Sequence, residues 1–537
     1  MDIDQALYEV GGLRWYHWLL FSLTSFSMTI PLGINAMMYV FIGWTPGHHC
    51  RAPIQNQSSI LKYGAFANGN TSTLSVDIFN GTQPMCHYTK ERENETFPCD
   101  NGWIYDIHPG RESSVVTEWD LVCESNFHAE LAETLSGAGA LIGLIFLSPL
   151  TDKFGRKPIF FIFYFLHLLT GLCISFVQSV TAYHALRFIS SIFSDVFSCA
   201  ALTLLMEMYS TRHRTLVGIG IEFYWVAAYF YLAMLMYLVR MWRNFLLIAI
   251  APMFIFLGIY WLMPESAPWL LIVGRKKEAK ETLEFFAKRN GVKWSAPDEL
   301  AVVKEVPEED EIPFRKQLLL LVKDPVLRRH SLMNGLYWFS NYCVYMGIII
   351  TMPSLAGNKY LSFTLGGLIE LPAYILCFFI VKYSRKIPTM FFHILAGLSL
   401  MAAALVIGLN LGGENQRVIM LVVALLGKFG ITCSFAIVVL YTIELFPTNL
   451  RGAGSSYGRI FGRFGSILSP FLAFWLKYNL WSPLLFMGIL SLLTGIATLV
   501  LPETCDKPLP QTLEDVYGLY KKGHKPVSTK DKDTVEF

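Results

Sequence analysis

Two arginines carry the sharpest chemistry in this chain. Arg459 and Arg463 lie four residues apart in the otherwise apolar run 453–476, hence on one face if that run is helical. A guanidinium inside hydrocarbon costs about 2.5–3.5 kcal/mol on insertion scales, so each must face protein or a wet cavity. Its planar fork matches a carboxylate or sulfonate. Gly458, Gly462 and Gly465 leave room on the same run for a ligand or a neighbouring helix. The competing partner is an acid from another run, such as Asp195 or Glu222. Aromatic residues make up 15% of the chain and crowd the stretches EFYWVAAYFYLAMLMY and YWFSNYCVY. Most aromatics in such runs pack or mark interfaces, but a cage of them attracts quaternary ammonium groups.

A second set of charges repeats along the chain. Glu207 precedes Arg214 by seven residues, and Glu444 precedes Arg451 by seven, at an offset of 237. Pro264-Glu265-Ser266 and Pro502-Glu503-Thr504 recur at 238, and Arg156-Lys157 and Arg385-Lys386 at 229. Three coincidences at matching places indicate a duplicated half. Acids and bases at helix ends, with Asp152 beside Arg156, are expected to form clusters that hold one arrangement of the halves and part when the halves move. The bland alternative is that the bases only fix topology. No HExxH or GxxxxGK[ST] motif is present, so neither metal-dependent hydrolysis nor nucleotide-driven work is expected. The chain reads as no enzyme and needs no cofactor or metal. His48 and His49 precede Cys50, which reads as half of a disulfide.

The elements that position these residues are membrane spans. The chain has 537 residues, 53% hydrophobic and 16% charged, with mean hydropathy +0.43. Soluble domains carry roughly 25% charged residues. Outside the polar segments 43–130, 265–329 and 502–537, apolar blocks recur, each long enough for a spanning helix of about 20 residues. Twelve spans are predicted at 17–42, 129–150, 158–178, 183–208, 215–238, 244–264, 330–352, 361–382, 388–411, 417–442, 453–476 and 481–501. The expectation is an all-α membrane protein with halves 1–264 and 330–501, a linker 265–329 and a tail 502–537. The first span is too long and too acidic in its flank for a cleaved signal.

Sidedness follows from the loops. Segment 43–130 holds sequons at Asn56, Asn70, Asn80 and Asn94, four cysteines (Cys50, Cys86, Cys99, Cys123) and 11 acids against 5 bases. Two disulfides are expected there, with three connectivities open. Segment 265–329 carries 13 Lys and Arg and the tail six Lys, which places both in the cytoplasm. Both termini are expected there, with 43–130 a glycosylated extracellular domain. The end Val535-Glu536-Phe537 fits a PDZ groove. Net charge of +2 offers nothing to nucleic acid.

TDKFGRKP (151–158) resembles the major facilitator signature loop, with Ser148 where that motif usually has Gly. PESAPWL (264–270) resembles its P-E-S-P-R-W-L signature, departing at Ala267 and Pro268. TEWDLVCE (117–124), IELPAY (369–374), GKFGIT (427–432), YTIELFPT (441–448), GRFGSILSPF (462–471) and LPETCDKPLPQTLEDV (501–516) are similar to solute carrier family 22 over nearly the whole chain. The resemblance implies a plasma-membrane carrier of small organic ions by alternating access, anions or carnitine-like zwitterions. An organic cation carrier and a non-transporting receptor-like member are the alternatives. It implies substrate contacts at Arg463, Tyr237, Trp338, Tyr345 and Phe435, and pairing roles for Glu370 and Lys428. Arg463 stands where cation carriers have Asp, while Leu32 replaces the Asn and Tyr374 the Lys of two other branches.

Overall fold

In hydrocarbon only a helix satisfies its backbone amides within one segment, and the apolar runs fold accordingly. The computed structural model describes residues 2–51, 86–89, 96–107, 112–294 and 314–520, except 357, 412, 448–449, 477, 506 and 508–509. The sequons at Asn56, Asn70, Asn80 and Asn94 and the end 535–537 lie outside the described residues.

Ten described helices are long and apolar enough to cross a membrane. They are Trp15–Ile42, Cys123–Leu147, Arg156–Phe176, Val180–Glu207, Thr211–Leu238, Trp242–Trp261, Lys359–Ile380, Lys386–Gly408, Gln416–Leu445 and Ser482–Val500. Two further helices, Pro325–Ala356 and Arg451–Leu476, occupy the places of the expected seventh and eleventh spans. Asn, Ser, Gly and Arg dilute their hydropathy, and they pack on each other more extensively than any other pair. The twelve expected spans are thus all present, most starting a few residues earlier than hydropathy suggests. The sixth tightens into a 3₁₀ helix over Ala251–Trp261, where Pro252 removes a backbone donor.

Within the first half the fourth span packs on the first, second and third; within the second half the ninth packs on the tenth and twelfth. The halves meet where the second span lies on the eleventh and the fifth on the eighth. Close approach depends on missing side chains. A Cβ at Gly139 would sit 2.3 Å from the Phe188 carbonyl oxygen, and one at Gly465 would sit 2.4 Å from that of Phe339.

At the end of the bundle that carries segment 43–130, two short antiparallel pairs form: His48–Cys50 with Trp103–Tyr105, and His87–Thr89 with Thr96–Pro98. Of the three open connectivities, the structure has Cys50–Cys99 and Cys86–Cys123. The opposite end carries the linker, which begins as helices Ala267–Ile272 and Lys276–Asn290. Asn290 clamps it to the first half, donating to the Val10 carbonyl at 3.0 Å and accepting from the Tyr16 amide at 3.3 Å.

Candidate functional site

Arg463 stands midway along the eleventh span and donates to the Asp195 carboxylate, midway along the fourth. The pair joins the two halves. Its guanidinium also lies 5.4 Å from the centre of the Tyr342 ring. Around it runs a cleft with about 70 Å³ accessible to water, lined on one side by Asn35, Glu133, Ser136, Ser191 and Ser194 and on the other by Met346, Ile350 and Ser466. Arg459, one turn towards the linker end, reaches Cys199 Sγ at 3.8 Å.

The aromatic residues expected beside Arg463 divide. Phe435 packs against Trp338 at 5.8 Å, Tyr342 at 5.1 Å and Tyr345 at 5.9 Å, making one wall from the seventh and tenth spans. Tyr342, absent from the expected set, connects that wall to Arg463. Its signal in the sequence was its place in YWFSNYCVY, four residues after Trp338 and so on the same helix face. Tyr237 does not join them. It lies at the loop end of the fifth span, more than half exposed, with its ring on Tyr360 at 5.7 Å and Arg240 at 5.7 Å.

Two buried ionic networks flank the cleft. In the first half, Arg187 bonds Glu133 and reaches Asn35 Oδ1 at 2.9 Å, while Asn35 donates to Ser191 at 3.0 Å. Arg187 and Glu133 are absent from the expected set, although an ionisable residue inside a span is itself the signal. In the second half, Lys428 pairs with Glu370 at 2.9 Å, and Glu370 also accepts from Tyr345 at 2.7 Å and Tyr374 at 3.2 Å. Across the halves, Tyr345 accepts from Trp225 Nε1 at 2.8 Å, and Lys428 donates to Tyr229 at 3.0 Å. Tyr345 is therefore held on several sides, a rigid part of the wall.

At the linker end the repeated charges close two equivalent circuits. Arg156 pairs with Glu207 at 3.1 Å and Asp152 at 3.0 Å; Arg385 pairs with Glu444 at 3.1 Å. Glu265 accepts from the amides of Arg156 and Lys157, each at 3.2 Å, satisfying free donors where the third span starts. Glu503 does the same for Arg385 at 2.9 Å and Lys386 at 3.2 Å, where the ninth starts. Burial raises the Glu265 carboxyl above the ordinary range despite those bonds. Burial also pushes Glu503 upward, but the Ser384 hydroxyl and backbone amides outweigh it and hold that carboxyl below. Arg214, in the first turn of the fifth span, donates to the Met206 and Tyr209 carbonyls, both at 3.2 Å, and ties off the end of the fourth span. Arg451 opens the eleventh span. These pairs lie within one half each, so in this arrangement, contrary to the expectation, they do not bridge the halves and would not part as the halves separate; they brace the helix ends of each half.

Contacts between the halves at the loop end are apolar and cationic. Phe41 meets Phe363 at 4.8 Å, and Lys359 Nζ lies 3.5 Å from the centre of the Trp44 ring.

Comparison with known proteins adds three kinds of likeness. The family profile described as Sugar (and other) transporter matches residues 122–515. Organic anion transporter 3 of Oryctolagus cuniculus is 29% identical, covering 98% of this chain and 95% of that protein. An organic cation transporter protein of Drosophila melanogaster is 30% identical over 97% and 96%. A beta-alanine transporter from the same fly is 28% identical over 96% and 89%. Among solved structures, the major facilitator proton:xylose symporter XylE bound to 6-bromo-6-deoxy-D-glucose superposes with TM-score 0.61 at 13% identity, covering 94% of this chain and 99% of that one. The inward open XylE of E. coli gives 0.60 at 14% identity, covering 94% and 100%.

Proposed function

The chain belongs to the sugar (and other) transporters of the major facilitator fold and, within them, to the organic ion carriers of solute carrier family 22; from that premise we propose alternating access at the plasma membrane around the Arg463 cleft. It carries small organic ions. The observation that bears most weight is the charged pair Arg463–Asp195 at the junction of the halves, beside the wall of Trp338, Tyr342 and Phe435. A guanidinium there anchors a carboxylate, and the aromatic wall accepts an apolar or cationic body. Trp338, Phe435 and Arg463 are assigned as substrate contacts, Tyr345 as a fixed support, and Tyr237 as a residue of the loop-end entrance.

Asp152, Arg156, Glu207, Arg214, Glu444 and Arg451 are assigned to the cytoplasmic gate, where they brace the helix ends of each half. The acidic, cysteine-bearing loop then faces outward with its sequons glycosylated, both termini face the cytoplasm, and the last residues suit a PDZ domain. An organic cation carrier is the second reading, favoured by Asp195, which offers a carboxylate to an ammonium.

Uptake into expressing cells, with and without sodium, tests this assignment. Carnitine, an aromatic carboxylate and a carboxylate-free quaternary ammonium are compared in wild type and Arg463→Ala. Carboxylate-dependent uptake is expected to fall at least tenfold in the variant. Equal uptake of the carboxylate-free cation by both proteins would move the assignment to the cation reading. Absence of flux despite surface expression would favour a receptor-like member of the fold.

A further inference from the structure

Resting on the carrier reading above, we infer that the disulfide-tied segment between the first two spans is one jaw of the outer gate, with Trp44 as the seat onto which Lys359 of the opposite half closes. Lys359 is placed against its own local interest. It lies in the first turn of the helix Lys359–Leu368, where Asn358 caps the backbone by accepting from the Tyr360 and Leu361 amides, both at 3.1 Å. A cation at that end opposes the helix dipole. Glu112, which lines the same small pocket, is bonded to Arg240 at 2.8 Å. The Lys359 ammonium lies instead on rings, 3.5 Å from the centre of Trp44 and 5.4 Å from that of Tyr360. A lysine at the end of a span ordinarily extends to water. This one turns across the junction of the halves.

Trp44 is held on the first half. It follows the first span by two residues and precedes the strand His48–Cys50, which pairs with Trp103–Tyr105 and is closed by Cys50–Cys99. Tyr105 donates to Asp120 at 2.9 Å, and Cys86–Cys123 fastens the segment to the start of the second span. Glu112 and Glu118 bond Arg240 and Arg243, where the fifth span turns into the sixth. Covalent bonds and ion pairs thus make the segment travel with the first half, and it presents Trp44 to the second. Nearby, Phe41 stacks on Tyr360 at 5.6 Å and meets Phe363 at 4.8 Å. Those rings shut the mouth, and the ammonium on Trp44 adds a specific attraction that must break before it opens. Opening returns Lys359 to water, and its hydration offsets the lost ring contact. The closed and open states therefore stay close in free energy, as alternating access requires.

The test uses the full chain at the surface of cells. Ser466→Cys, on the cleft wall, reports opening from outside through its labelling rate with a membrane-impermeant methanethiosulfonate, and the chain without it gives the background from native cysteines. Trp44→Leu and Lys359→Gln are each expected to raise that rate roughly fivefold, whereas Lys359→Arg, which keeps a cation on the ring, stays within about twofold. Lys359→Met repeats the measurement with the apolar stem retained, so a folding defect of one variant does not decide the outcome. Trp44→Leu combined with Lys359→Gln is expected to add nothing to the larger single effect, since either change removes the same contact. Labelling unchanged in Trp44→Leu and in the Lys359 variants overturns the inference. So do additive effects in the double variant, or a rise in Lys359→Arg equal to that in Lys359→Gln. Faster labelling in a chain that carries neither carnitine, an aromatic carboxylate nor a quaternary ammonium keeps the gate and sinks the carrier reading. Carriage with labelling blind to these substitutions does the reverse.

Discussion

Arg187 illustrates what a single ionisable residue does inside the bundle. It is fully buried, and its partners Glu133 and Asn35 come from two other spans, so it ties three helices at one point. Arg187→Gln leaves the Glu133 carboxylate without a countercharge, a loss of about 3–5 kcal/mol by analogy with other broken buried pairs. A lower unfolding midpoint in detergent and reduced surface expression are expected, with partial recovery when Glu133→Gln is added. An unchanged midpoint for the single variant would contradict this account. Arg463 was readable from sequence as an intramembrane charge, and Asp195 as one of two acids able to meet it. Choosing between Asp195 and Glu222 required knowing which faces of two distant spans meet, and hydropathy carries no such information.

At the scale of elements, the seventh and eleventh spans form the most extensive helix contact and also line the cleft. Their small and polar residues lower hydropathy because these faces meet a helix backbone or water. Gly465→Ala drives a Cβ into the Phe339 carbonyl, which is backbone and cannot rotate away. The expected effect is a loss of about 1–3 kcal/mol with a fall in uptake. Gly452→Ala, at a position where an added Cβ meets nothing within 4 Å, is the neutral control. Equal unfolding midpoints for the two variants would show that the close approach is not needed. Span number and order were legible, because an apolar run of sufficient length has one economical fold in hydrocarbon. Span ends were less so. The helices extend into the polar flanks, as in the fifth, which starts at Thr211 rather than at the first apolar residue.

For the whole molecule, the repeated acids and bases form two matching circuits at the linker end, one per half. The gate assignment predicts a kinetic effect rather than a binding one. Glu207→Gln and Glu444→Gln should each lower maximal uptake several-fold while leaving the half-saturating concentration within about twofold, since neither lines the cleft. Comparable changes in both parameters would assign these residues to binding or folding instead. Glu265→Gln removes the charge but keeps one acceptor for the amides of Arg156 and Lys157, so its defect should be the milder one.

The sequence by itself determined that this is a membrane protein of twelve helices in two related halves, with an acidic cysteine-bearing loop at one end and basic segments at the other. Those properties follow from local length, hydropathy and charge, which each segment carries regardless of its neighbours. It also named Arg463, because a charge in an apolar run stands out. Only the tertiary structure decided that Asp195 is its partner, that Cys50 joins Cys99, that Tyr342 belongs to the aromatic wall and that Tyr237 does not. Each of these depends on which helix faces meet or which loop ends are brought together. Contacts between segments far apart in the chain arise from packing the whole bundle, and no single segment encodes them.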